Sequence, residues 1–154
     1  MLLKLLAVGT KLPQWIQQGY REYAQRMPRE CRLELFEIAL GARSTTAEKA
    51  RADECERMLR AIRREDYVIA LDVTGKQFDT PKLAQLLQEW MFGGHDVAFC
   101  IGGPDGLGAE CIDRANLRWS LSPLTFPHSL VRVMVAEQLY RAATILKNHP
   151  YHRA

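Results

Sequence analysis

The chain has 154 residues, enough for one domain with a substantial core. Hydrophobic residues make up 47% and charged residues 25%, which excludes a disordered tail, a collagen-like repeat and a disulfide scaffold. The net charge is only +3 but unevenly spread: residues 1–64 hold 13 basic and 8 acidic side chains, residues 65–154 hold 8 and 10. A basic first half suits a surface that meets phosphates, although scattered solubilising charge explains the asymmetry equally well.

Residues 2–8 are a short apolar run closed by Gly9 and Thr10, which predicts a parallel strand buried on both faces. Interrupted by Lys4, this start is too short to span a bilayer, and no signal-type cleavage site follows it. Pro13 opens a helix where its missing N–H costs nothing. Trp15, Ile16, Tyr20, Tyr23, Ala24 and Met27 then recur at helical spacing until Pro28. Residues 33–40 read as a second strand and residues 41–44 as a polar loop. Thr45 and Glu48 have the spacing of a capping box, heading a charged helix to about Arg64 with Ala47, Ala50, Met58, Leu59 and Ile62 on its apolar face.

Residues 67–71 predict a third strand ending at Asp72. Thr80 and Pro81 cap the next helix, which turns Leu83, Leu86, Leu87 and Trp90 inward and stops at Gly93 and Gly94. Residues 97–101 are an all-apolar fourth strand. A glycine-rich stretch over 102–108 and a short helix over 109–115 follow. Residues 118–121 predict a fifth strand, and a final amphipathic helix runs from about Leu130 to Leu146. No internal repeat is visible. Five strands alternating with helices specify an α/β fold, a mostly parallel sheet flanked by helices in one domain over residues 1–154.

Cys31, Cys55, Cys100 and Cys111 form no CxxC pair and do not cluster with the four histidines at metal-ligand spacing. No metal is therefore expected, and a reduced, cytoplasmic setting fits better than secretion. Neither a Ser-His-Asp arrangement nor a pair of catalytic carboxylates can be defended. His95 and His128 read as loop or capping residues.

Parallel sheets bind ligands at the carboxyl ends of their strands. Here those ends carry Leu71 and Asp72, the Gly-Gly-Pro-Asp-Gly-Leu-Gly stretch, and residues 122–127. Four glycines in seven residues let a backbone turn sharply and approach a ligand closely. Their spacing matches no dinucleotide fingerprint and lacks the lysine of a P-loop, so a phosphate cradle is poorly supported. Pro123 and Pro127 stiffen the second loop, which leaves its amides and carbonyls free to read a base edge. In the tail, His149, Tyr151 and His152 stand beside Arg153, polar aromatics able to stack on a base or hold a phosphate.

Taken together, several stretches resemble the RlmH family of ribosomal RNA methyltransferases. They are Ala7-Val8-Gly9-Thr10-Lys11, Leu71-Asp72, Ile101-Gly102-Gly103-Pro104-Asp105-Gly106-Leu107 and Ser120-Leu121-Ser122. Pro127-His128, Leu130-Val131-Arg132-Val133, the helix segment Ala136-Glu137-Gln138-Leu139-Tyr140-Arg141-Ala142 and Asn148-His149-Pro150-Tyr151-His152-Arg153 complete the match. The resemblance implies a SPOUT-class α/β knot (a C-terminal trefoil), S-adenosyl-L-methionine (AdoMet) as cofactor and an obligate homodimer. It also implies methyl transfer to N3 of a pseudouridine in 23S rRNA, on the assembled ribosome. It places the cofactor on Leu71, Gly103, Ser122, Pro123, Leu124, Thr125, Phe126 and Pro127, and the catalytic, substrate-side residues on Arg141, Tyr151 and His152. Asp105 and Ala109 stand where close relatives often carry Glu and Pro, changes that preserve the glycine spacing.

An imide-like N3–H is weakly acidic, so transfer needs a proton acceptor and a cation near the developing anion. His152 or Asp105 is the candidate acceptor and Arg141 the cation. Two other classes share parts of the pattern. A flavodoxin-like nucleotide-binding module would keep the sheet and the glycine loop, and a non-enzymatic ribosome-associated factor would keep the basic first half.

Overall fold

The computed structural model describes residues 1–42 and 44–153; Arg43, part of the polar loop, and Ala154 lie outside them. Five parallel strands form one sheet: β1 (Leu2–Val8), β2 (Arg32–Ile38), β3 (Tyr67–Lys76), β4 (Val97–Ile101) and β5 (Leu117–Trp119). Their order is β2-β1-β4-β3-β5. The helices are α1 (Gln14–Ala24), α2 (Ala47–Arg60), α3 (Thr80–Gly93), α4 (Ala109–Arg114) and α5 (His128–Leu146).

Period-two alternation divides the core between the two faces of the sheet. From β1, Leu3, Leu5 and Ala7 pack with Tyr20 of α1, Leu83 and Leu87 of α3, and Val135 and Leu139 of α5. Leu6 and Val8 pack instead with Cys55 and Met58 of α2 and Cys111 of α4. Each fully buried leucine contributes about 2 kcal/mol of transfer free energy, so strands apolar on both sides are strongly committed to the interior.

Several boundaries differ from the sequence reading for local reasons. Thr46, not Thr45, caps α2 by accepting from the Lys49 N–H at 3.2 Å, while the Thr45 hydroxyl donates back to the Ala42 carbonyl. Asp79 caps α3 by accepting from the Lys82 N–H at 2.9 Å, which puts Pro81 inside the first turn. Trp15 and Ala47 lie on the solvent side of their helices. The fifth strand covers Leu117–Trp119 rather than 118–121.

The third strand does not end at Asp72. Both Leu71 and Lys76 pair with Trp119, so residues 72–75 bulge out of the ladder between them. Gly75 permits this, because a Cβ there would stand 2.7 Å from the Arg118 backbone.

Two buried cations hold the sheet. Near its amino edge, Lys4 donates to Asp66 at 2.9 Å, and Asp66 also accepts from the Arg63 N–H. At the carboxyl edge, Arg132 of α5 donates to Glu37 at 2.9 Å and to the carbonyls of Val8 and Gly9 at 3.3 and 3.2 Å. All four cysteines are free and buried, and burial pushes the Cys100 thiol up to about 12.

Lys4→Met leaves the Asp66 carboxylate buried without its cation. It is expected to cost about 3 kcal/mol in denaturant unfolding, while Lys4→Met combined with Asp66→Leu recovers part of that loss.

Candidate active site

The carboxyl ends of β3, β4 and β5 surround a cavity of about 360 Å³. β3 contributes Leu71, Asp72 and Val73, and the loop after β4 contributes Gly102, Gly103, Pro104, Gly106 and Leu107. The loop after β5 contributes Ser122, Leu124, Thr125, Phe126 and Pro127, and the first turn of α5 adds His128 and Val131. The volume lies within the ~300–1,000 Å³ typical of small-molecule sites.

Each wall has a local cause. The glycine loop folds back on itself through a Gly103–Gly106 bridge, closed by the Gly106 N–H to the Gly103 carbonyl at 3.0 Å. Backbone packs on backbone here: a Cβ on Gly102 would stand 2.5 Å from the Gly106 carbonyl carbon. A Cβ on Gly103 would meet Val8 Cγ1 at 2.8 Å. From outside, Arg51 of α2 donates to the Asp105 carbonyl at 3.2 Å. The facing loop is pinned by Ser122, whose Oγ accepts from the Leu124 N–H and whose carbonyl accepts from the Ser120 hydroxyl. Trp119, nearly buried and stacked on Phe78 with ring centroids 5.3 Å apart, also lines the cavity.

The bulge in β3 turns Asp72 to the rim. Its Oδ2 accepts from Arg118 at 2.9 Å and from the Thr74 hydroxyl at 3.0 Å, and its Oδ1 accepts from the Thr74 N–H at 3.2 Å. Partial burial pushes this carboxyl up, but the Thr74 hydrogen bonds and Arg118 outweigh it and hold it below the usual carboxylate range.

Thus Leu71, Gly103, Ser122, Leu124, Thr125, Phe126 and Pro127 meet at one cavity. Pro123 does not line it. That residue is exposed, between Ser122 and Leu124, whose N–H the Ser122 hydroxyl oxygen accepts. Neither Asp105 nor His152, the two candidate proton acceptors, is among the residues lining the cavity.

Arg141, Tyr151 and His152 form a second group, built on the far half of α5. Asn148 takes a left-handed conformation (φ 55°), and the His149 N–H donates back to the Thr144 carbonyl at 2.8 Å. The tail therefore folds onto the helix and leads into a 3₁₀ turn over Pro150–Arg153. Tyr151 packs edge-on against Tyr140 at 4.8 Å, with the Arg141 guanidinium 5.0 Å from its ring centroid. Burial and a hydrogen bond with Tyr23 push the Tyr151 phenol up to about 12. Glu137 accepts from Arg141 Nε at 2.6 Å and holds the guanidinium strongly protonated. His152 keeps a buried Nδ1 without a hydrogen-bond partner among the described residues.

The two groups are separated within one chain. Val131 and Arg141 are ten residues apart on α5, about 15 Å along its axis.

Sequence reasoning missed Glu137 as the partner of Arg141, although the four-residue spacing of opposite charges on a helix was a usable signal. It also missed the bulge, whose trace was Gly75 inside a strand-like run.

A family model described as predicted SPOUT methyltransferase matches residues 1–152. The chain belongs to the SPOUT methyltransferase family. Similar proteins include one from Alkalilimnicola ehrlichii, 55% identical and covering 100% of both chains, and one from Hahella chejuensis, 53% identical over 99% of both. A third, from Methylococcus capsulatus, is 53% identical over 99% of this chain and 100% of its own. All three are named ribosomal RNA large subunit methyltransferase H. Among solved structures, a probable methylase family protein from Haemophilus influenzae shares the fold with TM-score 0.57 and 13% identity, covering 97% of this chain and 69% of its own. Membership of a SPOUT methyltransferase family implies a methyl donor.

Gly102→Ala forces the Gly106–Leu107 backbone away. It is expected to lower stability by about 1–3 kcal/mol in chemical denaturation, with the far-UV circular dichroism spectrum retained.

Proposed function

We propose that this chain is an AdoMet-dependent methyltransferase acting on N3 of a pseudouridine in 23S rRNA of the assembled ribosome. It works as a homodimer in the cytoplasm, with the family's C-terminal trefoil knot. The observation that carries this is the meeting of the glycine loop and the proline-braced loop around one cavity. The names of the three relatives, each over 50% identical across nearly full length, support the RNA substrate.

The cavity's chemistry fits AdoMet. Leu71, Ile101, Trp119 and Phe126 offer apolar walls, Ser122 and Thr125 offer hydroxyls, and the loop backbones offer amides and carbonyls. Among the described residues no Lys or Arg lines the cavity, so a nucleotide phosphate would have to be held by loop amides and hydroxyls alone. When bound, AdoMet supplies an electrophilic methyl group on a sulfonium.

The residues of the chain do the positioning and the proton work. Arg141, oriented by Glu137 and by the Tyr151 face, holds a phosphate or the oxyanion that develops as N3 loses its proton. The imidazole of His152 receives that proton. On one chain this group stands about 15 Å down α5 from the cavity, which supports a second copy as the body that brings tail and cavity together. Among the described residues no helix is long and apolar enough to cross a membrane, and no cluster of His, Cys, Asp or Glu is placed to hold a metal ion.

The deciding experiment is AdoMet titration by calorimetry, followed by mass spectrometry of rRNA from ribosomes incubated with enzyme and donor. One added methyl on a single large-subunit pseudouridine is expected, on intact ribosomes in preference to naked rRNA. Absence of AdoMet binding overturns the assignment. Gly103→Val, which drives a side chain into Val8, is expected to abolish AdoMet binding while leaving the far-UV spectrum unchanged. His152→Ala should slow single-turnover methylation by about 10²–10⁴-fold with donor affinity intact, the usual contribution of a general base.

A further inference from the structure

Among the described residues that line the cavity, Asp72 is the one acidic side chain and His128 the one basic side chain. Arg118, which binds Asp72, is not in the lining, and its side chain is 46% exposed against 22% for Asp72. The ion pair is therefore oriented, with its carboxylate at the cavity and its guanidinium toward water. Solvent screens the outer charge more than the inner one, leaving a negative potential at the rim. Oδ2 is occupied by Arg118 and the Thr74 hydroxyl, whereas Oδ1 accepts one hydrogen bond and retains acceptor capacity.

AdoMet and the product of methyl transfer, S-adenosylhomocysteine, share their nucleoside and amino-acid parts. They differ by one methyl and by the sulfonium charge. Contacts to the shared parts cancel in the ratio of the two affinities, so a charged group near the sulfur shows in that ratio. Building on the AdoMet reading above, we propose that Asp72 is a specificity-determining residue that makes the cavity favour the cationic donor over the neutral thioether product. The bulge at residues 72–75, which has no packing role in the core, is the device that delivers this carboxylate.

The test measures dissociation constants for both ligands by calorimetry, at low and high salt, on the wild-type protein, Asp72→Asn and Arg118→Gln. Asp72→Asn should reduce the donor-to-product affinity ratio about three- to tenfold, mainly through weaker AdoMet binding. Arg118→Gln should raise that ratio, because it removes the opposing charge. High salt should compress it in the wild type. A merely structural role for the bulge weakens both ligands together and leaves the ratio unchanged, which overturns the proposal while sparing the AdoMet assignment. If Asp72→Asn does not fold, Arg118→Gln decides: a ratio that falls or stays level overturns the proposal. Failure of the wild-type protein to bind either ligand overturns the AdoMet reading itself.

Discussion

A guanidinium removed from water needs partners, and Arg132 finds them for both terminal nitrogens in two segments distant in sequence, while its buried Nε has none among the described residues. Its bonds to Glu37 and to the carbonyls of Val8 and Gly9 tie the ends of β1 and β2 to the first turn of α5. That turn carries His128 and Val131 into the cavity wall, and Val8 is the side chain against which Gly103 lies. One buried cation thus fixes both a wall of the cavity and the floor under the glycine loop. Because β1 is buried on both faces, these carbonyls sit where water cannot substitute for the arginine.

Around that anchor, the site is made largely of backbone. Gly102 and Gly106 touch main chain to main chain, and Ser122 holds its own loop through hydrogen bonds two residues away. Such walls have little side-chain entropy left to lose when a ligand enters. They also present amides and carbonyls in fixed directions, which suits a donor that must be oriented more than it must be activated. Away from these walls, the far half of α5 carries Arg141, against whose guanidinium the tail sets the Tyr151 ring.

Much of this was legible in the residue order. Apolar runs located β1, β4 and the start of β3, because a strand buried on both faces has no polar alternation to confuse it. The edge strands β2 and β5 instead carry Glu34, Glu37 and Arg118, and the bounds of β5 shifted. Leu71, the glycine stretch and residues 122–127 were drawn to one place by the rule that parallel sheets open at their carboxyl ends. The expectations of a knot and of an RNA target rest on resemblance, since no periodicity encodes a threading or a substrate. Caps were misplaced by one residue at Thr46 and Asp79, where neighbouring residues had equal capping chemistry. The bulge was invisible because register belongs to a pair of strands, and Trp119 meets both Leu71 and Lys76 only after β3 and β5 align.

A continuous helix also acts as a ruler. α5 begins at the cavity and, two turns and more later, carries Arg141 and the platform for Tyr151. Adding or deleting one residue between them would swing the guanidinium by about 100° around the axis. The platform for Tyr151, on the same end of the helix, would turn with it, so the pair would face a different direction relative to the cavity wall. Insertions and deletions are therefore barred from this stretch far more strictly than substitutions are.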